Sequence, residues 1–505
     1  MNATDVNTMN DDALIRGWVS QPNSRGTFDI AMSYAVTIFL CSWSSICVNI
    51  PSPPHPRTDL FWDKWHMFCL SMLGPEFVLL MAIGQYVSAL SSRDAFQDIG
   101  CRFWTVKHSS YADMGGFVLH PRGWKQFPVS AKQLHYLVAH GFIDLPELTK
   151  EEIGDKDIAD GLARFVTSCQ IIWFSLNVIA RPTKQLAVSS LEMTTIGFIF
   201  CTLGVNISWK NKPMDVYTPT PLRCDYTMDQ ILETRTSEDA PAQNAAAQEA
   251  VPQHAAPQEV DPVNASPQKA ATQTAVSQSA TPQTVIPRSA RKSFPMTPLD
   301  FVSREEWTAT LLWRYNVNIL RKLRIVRQRD KVWPAQRISS FNFPKLPRGA
   351  AGFTLFLGML YSAIFMAAWN FEFPSAMERL LWRISSSMTI CLTITMGLVK
   401  ILPSVLEKAR NEKLPDGEAE KGILTRFGHA CRGAIRRFEA KKINNSPLND
   451  PNQDILLKTF LFTLPICAAY TVCRVYILVE DIIGLRALPA SAFQTVNWTS
   501  FWPHF

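Results

Sequence analysis

"LSMLGPEFVLLMAIGQYVSAL", Leu70 to Leu90, is apolar almost throughout, yet Gly74, Pro75 and the carboxylate Glu76 stand near its start. A helix on the surface of a soluble core keeps one polar face toward water, and this stretch has none. About 20 mostly apolar helical residues are what a bilayer core requires. The reading of this segment as a span, drawn at 67–90, therefore decides the class of the whole chain. Six more stretches read the same way: 29–50, 162–180, 189–209, 350–371, 380–402 and 455–479. Seven such stretches in one chain predict an all-α membrane protein, a bundle of about seven transmembrane helices. Trp43, Trp62, Trp65, Trp173, Trp209, Trp369 and Trp382 lie in or beside these spans, as amphipathic rings do at a membrane interface.

Between the spans the composition changes sharply. Residues 210–303 become a Pro/Ala/Gln-rich stretch with the loose repeat "AVPQ", "AAPQ", "ASPQ", "ATPQ" and few large apolar side chains. Such a segment cannot bury enough surface to offset its ordering entropy, so a disordered cytosolic linker is expected. Residues 304–345 follow as a basic amphipathic region, with Trp307, Leu311, Leu312, Tyr315, Ile319, Leu323 and Val326 at helical spacing and arginines opposite. Residues 421–442, inside the basic connection 403–454, repeat the theme. Helices of this kind suit anionic lipid headgroups. No nucleic-acid motif accompanies the charge, so the expected partners are the bilayer and its headgroups, with protein partners left open.

Orientation is read from lysine and arginine. The 403–454 connection alone holds ten of them, and "RKLRIVRQRDK" (321–331) stands before the fifth span. The alternate connections are poor in both. This places the N-terminal tail (1–28) and the three long connections in the cytosol and the C-terminal tail (480–505) outside. The sequon Asn497-Trp498-Thr499 lies in that tail, and Asn264-Ala265-Ser266 in the linker. The first 28 residues hold no apolar run of the signal-peptide kind.

The connection 91–161 is expected to be helical and to lie against the membrane. "VSAKQLHYLVAHG" reads as a short helix, and Thr149 with Glu152 forms a capping box. That second helix is expected to run on into the third span, which would set Asp155, Asp157 and Asp160 at the membrane surface. They are suspects for a metal or diphosphate site, because hard cations seek paired carboxylates. The blander reading is acids favoured by a helix dipole. The 11 cysteines include no CxxC, and the nine histidines no HExxH. No cofactor, metal or catalytic residue is assigned.

Several stretches carry a resemblance: "RGTFDI" (25–30), "LCSWSSICVNIP" (40–51), "EEIGDKDIADGLARFVTSCQIIWF" (151–174), "SSLEMTTIGF" (189–198), "WKNKPMDV" (209–216) and "GLRALPASAFQTVNWTSFWPHF" (484–505). In these the chain resembles a group of fungal multi-pass membrane proteins of unassigned molecular function. The resemblance implies a shared membrane fold and brings no catalytic residues.

Polar residues inside the spans are the functional candidates, since a charge at the bilayer centre costs about 2.5–3.5 kcal/mol on insertion scales. They are Glu76, Gln85, Gln170, Asn177, Glu192, Asn206 and Arg474, with Arg164 and Arg181 bracketing the third span. Pro75 removes a helix N–H and loosens the turn before it, leaving room for Glu76. Its expected partner is Arg181 or Arg474. Three functions compete: binding or transport of a small molecule, a membrane scaffold, and a membrane-embedded enzyme acting on lipid or isoprenoid.

Overall fold

The computed structural model describes residues 14–20, 25–51, 56–157, 161–234, 296–303, 308–324, 333–411, 441–446 and 453–496. The chain is mostly helical. In order come β1 (Leu14–Arg16), α1 (Thr27–Ser45), α2 (Pro56–Leu73), α3 (Pro75–Asp98), α4 (Val106–Asp113), β2 (Phe117–Pro121), β3 (Phe127–Val129), α5 (Ala131–Ala139) and α6 (Lys150–Asp155). Then follow α7 (Gly161–Thr183), α8 (Ser190–Ser208), β4 (Thr220–Cys224), α9 (Thr308–Lys322), α10 (Arg348–Ala367), α11 (Ala376–Asn411), β5 (Lys442–Ile443), β6 (Ile455–Leu456), α12 (Leu457–Ile483) and β7 (Ala487–Pro489).

Among the described residues, three helices are long and apolar enough to cross a membrane. They are α8, α10 with its following turn (Arg348–Asn370) and α12 with its following turn (Leu457–Arg486). The pair Arg57–Leu73 and Pro75–Asp98 adds a fourth if counted as one span, but it bends by 119°. The apolar stretch 67–90 is thus two helices, a correction to the single span expected there. Gly74 makes the break, with extended backbone as the N-cap of α3 and Pro75 in its first turn. A Cβ on Gly74 would stand 2.6 Å from Glu76 Oε1 and from the Phe77 ring, so a larger residue would have to displace both side chains.

Both feet of this bent pair stand at one end of the molecule. Near the start of α2, Asp63 pairs with Arg337 and accepts from Ser340 at 3.2 Å. Near the end of α3, His135 bonds the Ala95 carbonyl at 3.1 Å. The tip reaches into the bundle, where Arg474 Nε donates to the Leu73 carbonyl at 3.4 Å. Close helix packing relies on small residues: a Cβ on Gly204 of α8 would stand 2.6 Å from Leu79 of α3.

At the feet sits a compact lobe with its own core, in which Trp104, Tyr111, Phe117, Phe127 and Leu134 are fully buried. It contains a three-stranded sheet in the order β3-β2-β4. β2 pairs antiparallel with β3 (Phe117 opposite Val129) and parallel with β4 (Phe117 opposite Thr220). The connection 91–161 is therefore not helical throughout. β4 falls in 210–303, and so does Leu299, which is buried in the lobe core; these ends of the stretch read as linker are folded. The linker interior 235–295 and the second basic amphipathic stretch lie outside the described residues. His108 is buried in the lobe, with Nε2 at 2.7 Å from the Leu148 carbonyl, and that burial holds its pKa below the usual histidine value.

α6 opens on the expected capping box, Thr149 Oγ1 accepting from Glu152 N–H at 3.1 Å. It ends at Asp155 and does not run on into α7. At the opposite end of the bundle β1 pairs antiparallel with β7, Leu14 opposite Pro489. Arg25 N–H donates to the Phe493 carbonyl at 3.0 Å. The segments around β1 and β7 therefore share one end of the bundle.

Candidate functional site

Three polar clusters are strung along the bundle. The deepest lies at the tip of the bent pair. Tyr470 of α12 donates its hydroxyl to Glu76 Oε1, and the other Glu76 oxygen is buried without a hydrogen-bond partner. One turn along α12, Arg474 is wholly buried. Its guanidinium lies over the Tyr361 and Phe365 rings of α10, 5.4 and 4.7 Å from their centroids, a cation–π arrangement that gains when desolvated. Both terminal nitrogens of Arg474 lack a hydrogen-bond partner. Glu76 and Arg474 attract one another electrostatically but form no salt bridge within 4.0 Å among the described residues. Of the two expected partners, Arg474 is thus a neighbour and Arg181 is elsewhere.

The second cluster holds Arg181, at the end of α7, against Glu192, in the first turn of α8. Arg181 Nε stands 3.6 Å from Glu192 Oε1, both side chains being 3% exposed. Arg25 reaches the same oxygen at 3.0 Å and donates to Tyr34 Oη at 2.7 Å. The other Glu192 oxygen accepts from Ser189 N–H at 2.8 Å, closing a capping box that satisfies free N–H groups at the helix start. The Arg181 guanidinium also donates to the carbonyls of Ser491 and Ala492 at 3.0 Å each and of Gln494 at 3.2 Å. One carboxylate therefore ties both ends of the chain to α7 and α8.

The third cluster joins bundle to lobe. Lys212 Nζ donates to Gln85 Oε1 at 2.9 Å, Asn49 Oδ1 at 3.0 Å and the Cys47 carbonyl at 3.2 Å. Trp209 Nε1 shares Gln85 Oε1 at 3.1 Å. Burial holds the Lys212 amine below its ordinary pKa. Next to it, Lys64 pairs with Asp215 at 3.2 Å, and Asp157 accepts from Met214 N–H at 3.2 Å.

The remaining sequence candidates scatter. Gln170 donates to Thr37 Oγ1 at 2.9 Å, linking α7 to α1. Asn177 bonds the Trp173 carbonyl of its own helix at 2.8 Å, and Asn206 is exposed. Of the three suspected acids, Asp155 ends α6, Asp157 holds Met214, and Asp160 lies outside the described residues. No group of three His, Cys, Asp or Glu residues gathers to hold a metal among the described residues.

Sequence reasoning did not single out Tyr470, Lys212, Arg25 or Asp481. A signal existed for Asp481: Tyr470, Arg474, Ile477 and Asp481 follow helical spacing along one face, but the last span was closed at 479. Arg474, Ile477 and Asp481 are all buried. Beyond Asp481 opens a cavity of about 380 Å³. It lies between the start of α8, the turn after α10 and the segment around β7.

A family model described as a family of unknown function (DUF8562) matches residues 3–237 and 353–505. No curated protein matches the chain, and no solved structure does.

Proposed function

The chain belongs to this family of unknown function, DUF8562, and from that premise we propose that it is a multi-pass membrane protein that binds a small polar molecule inside its helix bundle and carries it across. The membrane reading is supported by the large apolar side chains on outward faces: Val472 and Ile482 of α12 are 68% and 70% exposed, and Ile207 of α8 is 73% exposed. Water would penalise such surfaces, whereas hydrocarbon does not.

The observation that carries the functional reading is the half-buried Glu76 beside the wholly buried Arg474. Each has hydrogen-bonding capacity left unused at the tip of a broken helix. Broken helices inside membranes are tolerated where they line a cavity, and transporters place substrate sites at such breaks. A polar face then continues along α12 to Asp481 and the cavity. The lipid-enzyme alternative has less behind it, because of its three suspects Asp155 ends α6 and Asp157 already holds Met214 N–H. Cells lacking the protein should show a shifted pool of one or a few small polar metabolites, and Glu76→Gln at normal abundance should reproduce that shift. A shift confined to lipids, or a Glu76→Gln strain matching wild type, would refute transport.

The fold also supports a particular threading: six crossings by α1, α7, α8, α10, α11 and α12, with α2 and α3 as a re-entrant pair. The basic connections and the lobe then face the cytosol, in line with the charge rule, and both termini face out. The chain carries the sequon Asn2-Ala3-Thr4 as well as that at Asn497. Glycosidase treatment should remove two glycans, one lost in Asn2→Gln and one in Asn497→Gln, with Asn264→Gln unchanged. A glycan at Asn264 would reverse the threading.

A further inference from the structure

The cavity beside β7 is unevenly charged. Among the residues lining it, two are charged, Glu372 and Asp481, and both are acids. Glu372 is exposed at the rim. Asp481 is 2% exposed and lines the cavity; the Thr194 and Ser190 hydroxyls stand beside its carboxylate, and neither oxygen meets them in full hydrogen-bond geometry. The Thr194 hydroxyl is buried as well. A buried carboxylate offset only by two hydroxyls and a distant arginine is costly, and a cation in the cavity would complete it. Among the described residues, no basic side chain lines the cavity. Arg181 turns toward Glu192 and the carbonyls of Ser491, Ala492 and Gln494. Arg486 pairs with Glu378. Arg474 lies two turns back along α12, with the fully buried Ile477 between.

We propose that this cavity binds a small organic amine, its ammonium group on Asp481 and its hydrocarbon body against Leu191, Phe373, Leu485 and Leu488. The volume, about 380 Å³, falls at the small end of ligand pockets and is far larger than a bare ion needs. One buried carboxylate suits a monocation, whereas a divalent ion seeks six or more oxygens. The apolar wall suits an alkyl or aryl stem. This proposal rests on the small-molecule reading given above and names its ligand class.

The test uses the full chain in lipid nanodiscs, followed by thermal unfolding with n-hexylamine, 1-hexanol or hexanoate. Hexylamine alone should raise the melting temperature in a saturable way, as a ligand selective for the folded state must. Asp481→Asn should weaken that effect about tenfold or more, the worth of one charge-assisted hydrogen bond. Leu485→Trp, which fills the cavity from an uncharged wall, should abolish it even if Asp481→Asn does not fold. Equal shifts from all three compounds, no shift from hexylamine, or a hexylamine shift untouched by Leu485→Trp would overturn the proposal. Uptake of labelled hexylamine into proteoliposomes separates the two readings. Binding without uptake removes transport and leaves the amine site standing. Uptake of other polar solutes with no hexylamine binding removes the amine site and leaves transport standing.

Discussion

Arg474→Met is expected to destabilise the protein by about 2 kcal/mol or more, the worth of a desolvated cation over aromatic rings, with the charge of Glu76 then left unopposed. Methionine fills much the same volume and still packs on Tyr361 and Phe365, so lost bulk is a small part of the effect. What is lost is the cation over those two rings and the charge that offsets Glu76. The carboxylate is then left deep in the bundle with only the Tyr470 hydroxyl. The double variant Glu76→Gln/Arg474→Met removes both charges and keeps an acceptor for Tyr470, so it should regain most of the loss. The measurement is the melting temperature of the detergent-purified protein, with cellular abundance beside it. Additive losses in the double variant would mean that the two residues act independently, and the electrostatic account of the bundle centre would fail.

Glu192→Ala should produce a loss of similar size by another route. It uncovers Arg181, whose side chain is 3% exposed, and frees Arg25. It also strips the first turn of α8 of its cap, a further cost of about 1 kcal/mol. Glu192→Gln keeps oxygen for Arg25 and for Ser189 N–H but discards the charge, so it should fall between alanine and wild type. Limited proteolysis should find both chain ends cut early in the alanine variant, because the same carboxylate secures them. Wild-type melting and wild-type resistance in Glu192→Ala would remove the clamp from consideration.

The helical stretches were legible because hydropathy reports directly on the apolar surface a helix presents. Each of the seven expected stretches does contain helix, although three helices stand out as long and apolar enough to span, or four with the bent pair. Arg474 and Glu76 were legible as anomalies, since a charge in an oily run is conspicuous in any folded arrangement. Their relation was less so. Gly74-Pro75 reads locally as a loosened turn, and only packing around Leu73 and Tyr470 turns it into a reversal. On the threading proposed above, that reversal removes one crossing and moves the N-terminal tail to the other side. The lobe was hidden for a different reason. β2, β3 and β4 are three to five residues long and each contains proline, so alternation has no length over which to show. Ser189 and Glu192 spell the same cap signature as Thr149 and Glu152, yet inside an oily run Glu192 reads as an interfacial acid. Lys212 stood in plain view within "WKNKPMDV", but its role depends on Asn49 and Gln85, far off along the chain.

The pairing of residues 14–16 with 487–489 has a consequence for how the molecule is made. A ribosome releases β1 long before β7, so the earlier strand waits while every helix of the bundle is made before it meets its mate. Arg25 waits as long for the Phe493 carbonyl. Any product cut short before α12 leaves that first segment with an open edge and no template. The pairing therefore closes only once α12 and the strand after it are made, and a copy lacking them leaves β1 without its partner.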